Sequence, residues 1–329
     1  MAPPDQPLLS RIQDLPFKPV FIMGDHRSGT TLLYDLLART GRFNIVTAYH
    51  VIRYGELLSN HVEGRTDQAK KDLEAQFERL GIMDRKIDNV DINPDTPEEY
   101  AWFLRGIPRL NRLNLGRFTE ACRKVQFISG PERPLLLKNP WDYDRNFLRV
   151  ARLFPDAPMI FIHRNPVDVV NSRLKAARVT FAEKNEYGAL ISPRYEKMFK
   201  RRVGVHLMRF LFSDTWNLGF RLTNRHVGRA ADYYLDHVGE LPESRYTWVR
   251  YEDLCADPNA SVGRLMAFLK MTPESTPDLS ALIAPRQPRL LPAVEAHLPE
   301  VGRRLERYCR AFDYPVPGEA PPDPVRSGG

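Results

Sequence analysis

The sequence predicts an α/β fold, a parallel central sheet with helices on both faces. Three observations carry that expectation: short apolar runs that are continuous rather than alternating, a helical pattern after each run, and a glycine-spaced loop directly after the first. The first run, Val20 to Met23, leads into Gly24-Asp25-His26-Arg27-Ser28-Gly29-Thr30-Thr31 and then a helix marked by Leu32, Leu33, Leu36 and Leu37. A second stretch, Asn44 to Val46, ends in Thr-Ala-Tyr-His, and a polar segment carries the chain to Thr96, Pro97 and Glu99. These three read as N-cap, N1 and N3 of a capping box. Leu135 to Leu137, Met159 to Ile162 and Tyr246 to Val249 read as further buried strands, and one helix is expected over Asp142 to Phe154. Asn165-Pro166 and Asp257-Pro258 open two more helices.

Residues 194–241 read as a mainly helical insertion over the sheet, and the last helix is expected over Pro299 to Phe312. With neither an internal repeat nor a linker, the expectation is a single domain over 1–329. Its ordered core spans about 18–314, and a Pro/Gly-rich tail, 315–329, reads as disordered.

Composition narrows the function. The 329 residues carry 48 Lys and Arg against 41 Asp and Glu, and Cys122, Cys255 and Cys309 stand far apart without CxxC spacing. A disulfide framework or structural zinc site is therefore not expected. The start lacks the pattern of a secretory signal, and no run of about 18 apolar residues occurs, so a cytoplasmic protein without a transmembrane segment is expected. The surplus of seven positive charges attracts anions: nucleic acid, an anionic membrane or a phosphorylated small molecule. No basic stripe with interleaved aromatics appears, which argues against nucleic acid.

Gly24 and Gly29 have the spacing of a phosphate-binding P-loop, between a strand and a helix, so the sheet is expected to be of the P-loop nucleotide-binding type. Such a loop turns successive N–H groups and the positive end of the helix on one anion. Where a nucleoside-triphosphate-hydrolysing loop has Lys after the second Gly, this chain has Thr30, and its cation, Arg27, lies inside the loop. That suits a 5′ group other than a triphosphate. A second anion site is read at a later strand end. Arg164 precedes the cap Asn165, and Ser172 lies two helical turns beyond it on the same face. The plain alternatives are a solvated loop cation for Arg27 and an ion pair with Asp168 for Arg164.

Together these motifs resemble the PAPS-dependent sulfotransferase superfamily, and its bacterial and tyrosylprotein-like branch most. Arg27-Ser28-Gly29-Thr30-Thr31 looks like the family's 5′-phosphosulfate loop, and Arg164 with Ser172 like its 3′-phosphate motif. Leu-Leu-Leu-Lys138-Asn-Pro resembles a strand-end K-x-P, Val-Arg-Tyr251-Glu-Asp-Leu a segment near the nucleotide, and the final Phe-Asp-Tyr-Pro the family's C-terminus. The resemblance covers about 20–314 and fades over 51–130 and 175–245.

It implies sulfuryl transfer from 3′-phosphoadenosine 5′-phosphosulfate (PAPS) to a hydroxyl or amine of a small-molecule, lipid or glycoside acceptor, without a metal. Arg27, Ser28, Gly29, Thr30, Thr31, Arg164, Ser172 and Tyr251 would bind the donor. Lys138 and Arg27 would stabilise the leaving oxygen. His50 is the expected general base, about two residues from where the tyrosylprotein branch carries Glu, with Glu56 and then His26 next. Aromatics near Tyr100, Trp102, Phe103 and Trp141, with those of the insertion over 181–220, would line the acceptor pocket, and Arg286 and Arg289 stand in a loop that could cover the 3′-phosphate. Asp25, Glu252 and Asp253 are the carboxylates a metal could use. The rival readings are a small-molecule kinase using ATP and Mg²⁺, and a non-catalytic nucleotide-binding protein.

Overall fold

A computed structural model describes residues 3–85, 91–104, 106–213, 216–275, 278–283 and 289–319. Five strands form one all-parallel sheet in the order β2-β3-β1-β4-β5. They are β1 (Pro19–Met23), β2 (Asn44–Ile45), β3 (Leu135–Lys138), β4 (Met159–His163) and β5 (Tyr246–Arg250). The expected fold class is the observed one.

Strand pleating explains why the apolar runs are continuous. Val20, Ile22, Leu136, Ile160, Ile162 and Val249 point to one face and pack with Leu33, Leu36 and Leu37 of the helix Thr30–Ala38 and Val262, Leu265 and Met266 of the helix Pro258–Phe268. Phe21, Met23, Leu135, Leu137, Met159 and Phe161 point to the other. There the cover comes from the helices Leu115–Ser129, Pro166–Ala182, Leu218–His237 and Leu298–Ala311. With both faces buried, no strand position among these can be polar without a partner.

Three local expectations change. The helix expected over Asp142 to Phe154 is two, Pro140–Tyr143 and Phe147–Leu153, because Arg145 takes a left-handed φ of 59° and Asn146 starts the second. Asp142 fixes that break: its carboxylate accepts from the Leu110 N–H, the Asn139 and Asn146 amides and the Tyr100 hydroxyl. The capping box at Thr96 does not form. Thr96 Oγ1 accepts from the Asn93 N–H at 2.8 Å, and the segment becomes one short 3-10 helix, Tyr100–Leu104. The insertion divides into the helices Pro193–Lys200, Arg202–Leu211 and Leu218–His237, of which only the last packs as a full-length member of the sheet's helical layer.

At the C-terminus, Tyr314 is buried, Val316 packs on the core, and Glu319 meets Arg310 at 2.9 Å. Residues 320–329 of the expected tail and Arg286 lie outside the described residues. Among the described residues no helix is long and apolar enough to cross a membrane.

Candidate active site

The carboxyl ends of β1, β3, β4 and β5 deliver the loop at Gly24, Lys138, Arg164 and Tyr251 to one edge of the sheet, where ligands of open α/β sheets bind. Gly29 has φ of 100°, and a Cβ there would lie 2.3 Å from the Tyr251 ring. The Tyr251 ring thus packs directly on the loop backbone. Gly29→Ala meets both a left-handed φ and that ring, so a loss of roughly 1–3 kcal/mol is expected, read as a lower melting temperature. Ser28 turns inward, its hydroxyl donating to the Asp25 carbonyl at 2.8 Å.

The two anion motifs meet. Arg27, itself at a left-handed φ of 73°, donates from Nε to Ser172 Oγ at 3.0 Å. Arg164 donates from Nη1 to the Arg27 carbonyl at 3.2 Å, and its guanidinium lies 4.2 Å over the Tyr251 ring. Asp168 is 3.7 Å from Arg164, as the ion-pair alternative anticipated, so the cation serves both neighbours. Arg164 Nε is buried with no hydrogen-bond partner, an orphan donor that a ligand anion would satisfy. Asn165 caps the Pro166–Ala182 helix, accepting from the Val167 N–H at 3.0 Å. Its own N–H donates to Glu252 Oε1, whose other oxygen accepts from Tyr314 OH. The C-terminal segment therefore reaches back to brace this corner.

Lys138 is the buried cation of the site. Nζ donates to Thr31 Oγ1 at 3.0 Å and lies 3.6 Å from Glu99 Oε1. Glu99, only 16% exposed, has its pKa raised by burial, an effect that Lys138 opposes. A carboxylate, a cation and the start of the P-loop helix thus form one cluster, and Glu99 is the member that sequence reasoning missed. Its signal, Thr-Pro-Glu-Glu, was read as a helix cap.

Residues 19–212 match the profile of the sulfotransferase family. The chain belongs to the sulfotransferase family.

This sulfotransferase is 24% identical over 285 residues to the omega-hydroxy-beta-dihydromenaquinone-9 sulfotransferase Stf3 of Mycobacterium bovis, covering 76% of this chain and 62% of that one. The Mycobacterium tuberculosis protein of the same name matches equally. The chain therefore spans about three-fifths of the length of these curated relatives. Among solved structures, sulfotransferase STF9 from Mycobacterium avium superposes with a TM-score of 0.61 at 15% identity, over 96% of this chain and 81% of that one. STF1 from Mycobacterium tuberculosis H37Rv gives 0.55 at 18%, over 92% and 79%. These structures share the fold.

His50 follows β2, the neighbour of the strand that ends at Lys138. It belongs to the helix Ala48–Ile52 and is buried, with Nδ1 accepting from the Thr47 N–H at 3.1 Å. That bond occupies the lone pair a base would use, and the proton of neutral imidazole then sits on Nε2. Burial, then Lys70, lower its pKa to about 4, with Asp95 and the Ile45 carbonyl opposing. The structure gives His50 a helix-start role. His50→Ala should keep most turnover and cost about 1 kcal/mol, the worth of a lost cap, measured by denaturant unfolding. Because the folded-state pKa is depressed, its contribution falls as pH drops from the unfolded value near 6.5 toward 4, so wild type should lose more stability than His50→Ala across that window.

Glu56 sits 3.4 Å from Arg53, about a third exposed, at the start of the helix Leu57–Val62. His26 is half-buried in the loop against the Trp141 ring, centroids 4.7 Å apart, and desolvation, then Arg173, hold its pKa well below the usual value. Asp25 pairs with Arg173, Asp253 with Arg250, and Glu252 holds Asn165 and Tyr314. Among the described residues no three His, Cys, Asp or Glu side chains converge as a metal site. Of the expected pocket aromatics, Tyr100 and Phe103 are core, Trp102 donates to Glu98, and Trp141 alone borders the loop.

Proposed function

We propose that this family member moves a sulfuryl group from PAPS to the hydroxyl of a small apolar acceptor, and that Glu99 is the general base. The observation that carries the reading is the Arg27 Nε to Ser172 Oγ contact at 3.0 Å, which puts the loop cation and the later R-x7-S motif on one ligand-sized spot. A nucleotide bearing a 5′-phosphosulfate and a 3′-phosphate has anions to match both.

The residues fit that donor. The loop from Arg27 to Thr31 would hold the 5′ group on backbone N–H groups at the Thr30–Ala38 helix start. Arg164, with its orphan Nε, and Ser172 would hold the 3′-phosphate, and the Tyr251 ring would wall the site between them. Bound donor supplies the sulfuryl group, and its transfer leaves negative charge on a nucleotide oxygen. Lys138 and Arg27 would supply the fixed positive charge that stabilises that oxygen. Glu99, its pKa raised by burial with Lys138 opposing from 3.6 Å, would take the acceptor's proton.

The 24%-identical Mycobacterium relatives are named for a hydroxylated menaquinone acceptor, which favours a lipid alcohol here. Incubation with 35S-labelled PAPS and EDTA, over isoprenoid, sterol and glycoside alcohols, is expected to label one acceptor class and release 3′,5′-ADP in equal amount. Mg²⁺-dependent transfer from γ-labelled ATP, with no use of PAPS, would make the chain a kinase instead.

A further inference from the structure

The site uses few of the positive charges. Residues 193–229 hold nine Lys and Arg against two acidic residues, a surplus of seven that equals the net charge of the whole chain. The same stretch exposes six large apolar side chains. In the helix Arg202–Leu211, Val203 is 84%, Leu207 60% and Phe210 52% exposed, at i, i+4 and i+7, while Val205 is buried on the opposite face. Trp216 is 72% exposed just beyond, and Leu218 and Leu222 are exposed on the next helix. A Cβ at Gly219 would lie 2.9 Å from Phe212, so the two helices abut and the apolar positions are neighbours.

Charge surrounds this stripe. Arg221, Arg225 and Arg229 are exposed at i, i+4 and i+8 of the Leu218–His237 helix, and Arg194, Lys197, Lys200 and Arg201 precede the stripe. At the inner margin, Arg178 and Arg209 line a cleft of 410 Å³ with the stacked rings of Phe181 and Phe212. A soluble surface gains nothing from an apolar stripe of this kind, and a protein partner in general would not require the basic surround. An exposed apolar helix face ringed by Lys and Arg, with a Trp at its end, matches an interface of acyl chains below anionic headgroups.

We infer that residues 193–229 form a docking face for an anionic lipid surface. Val203, Leu207, Phe210 and Trp216 enter the headgroup boundary, and the flanking Arg and Lys meet the lipid phosphates. The face extends from the far end of the Pro166–Ala182 helix, which carries Ser172 nearer its start, so docking would hold the sulfotransfer site close to a membrane. The inference does not depend on the donor or on the base.

The test is flotation of the full chain with vesicles of phosphatidylcholine, with and without phosphatidylglycerol. At least about tenfold more protein should float with the anionic vesicles, and added salt should release it. Leu207→Glu with Phe210→Glu should abolish flotation. Arg221→Glu with Arg225→Glu should do the same, which decides the matter if the first variant melts early. Equal flotation with neutral vesicles, or unchanged flotation of both folded variants, overturns the inference. So does a wild-type dimer that fails to float and becomes a monomer on Leu207→Glu with Phe210→Glu, since a second copy then covers the face.

Discussion

Glu99→Gln is expected to lower kcat by about 10²- to 10⁴-fold while the affinity for 3′,5′-ADP stays unchanged. The amide keeps the size of the side chain and the contact with Lys138, but its oxygen is far too weakly basic to take a proton at neutral pH. A base is useful when its pKa lies near the working pH, and the partly enclosed position of Glu99 raises its pKa through burial, with Lys138 opposing. Wild-type kcat should therefore fall as pH drops through that raised pKa, and the Gln variant should lose this acid limb. A pH profile of kcat for both proteins checks it. An unchanged kcat, or an acid limb that survives in Glu99→Gln, returns the base to another group.

Lys138→Ala is expected to cost about 10²- to 10³-fold in kcat, because Nζ is the buried cation beside Thr31, at the helix start proposed to hold the 5′ group. A second effect follows from the same distance of 3.6 Å. Without Lys138, Glu99 loses the charge that lowers its pKa, so the acid limb of the remaining activity should move to higher pH. A purely structural lysine would reduce the amount of folded protein without displacing the limb. Melting temperature and pH profile, taken together, separate the two.

The sheet was legible because burial on both faces leaves an unmistakable pattern: three or four apolar residues in a row with a helix after each. The return of Ser172 to the face of Arg164, at the P-loop's edge of the sheet, was also legible, since a strand end, a cap and two helical turns fix where it lies; its bond to Arg27 was not. Glu99 was not. Its position depends on Thr96 bonding back to Asn93 rather than capping a helix, a choice made by the loop's tertiary contacts. The bond between Thr47 and His50 was not legible either, because distance along the chain says nothing of which ring nitrogen is already bonded. The break at Arg145 belongs to the same class, set by the Asp142 network rather than by local preference.

One site is expected to bind a nucleotide by both its 5′ group and its 3′-phosphate. Titration calorimetry in EDTA, with 3′,5′-ADP and ADP as ligands on wild type and Arg164→Ala, measures this. One site per chain is expected, with 3′,5′-ADP at least about tenfold tighter than ADP in wild type and most of that advantage gone in Arg164→Ala. Equal affinity for the two nucleotides, or tighter binding of ATP that appears only with Mg²⁺, would contradict it.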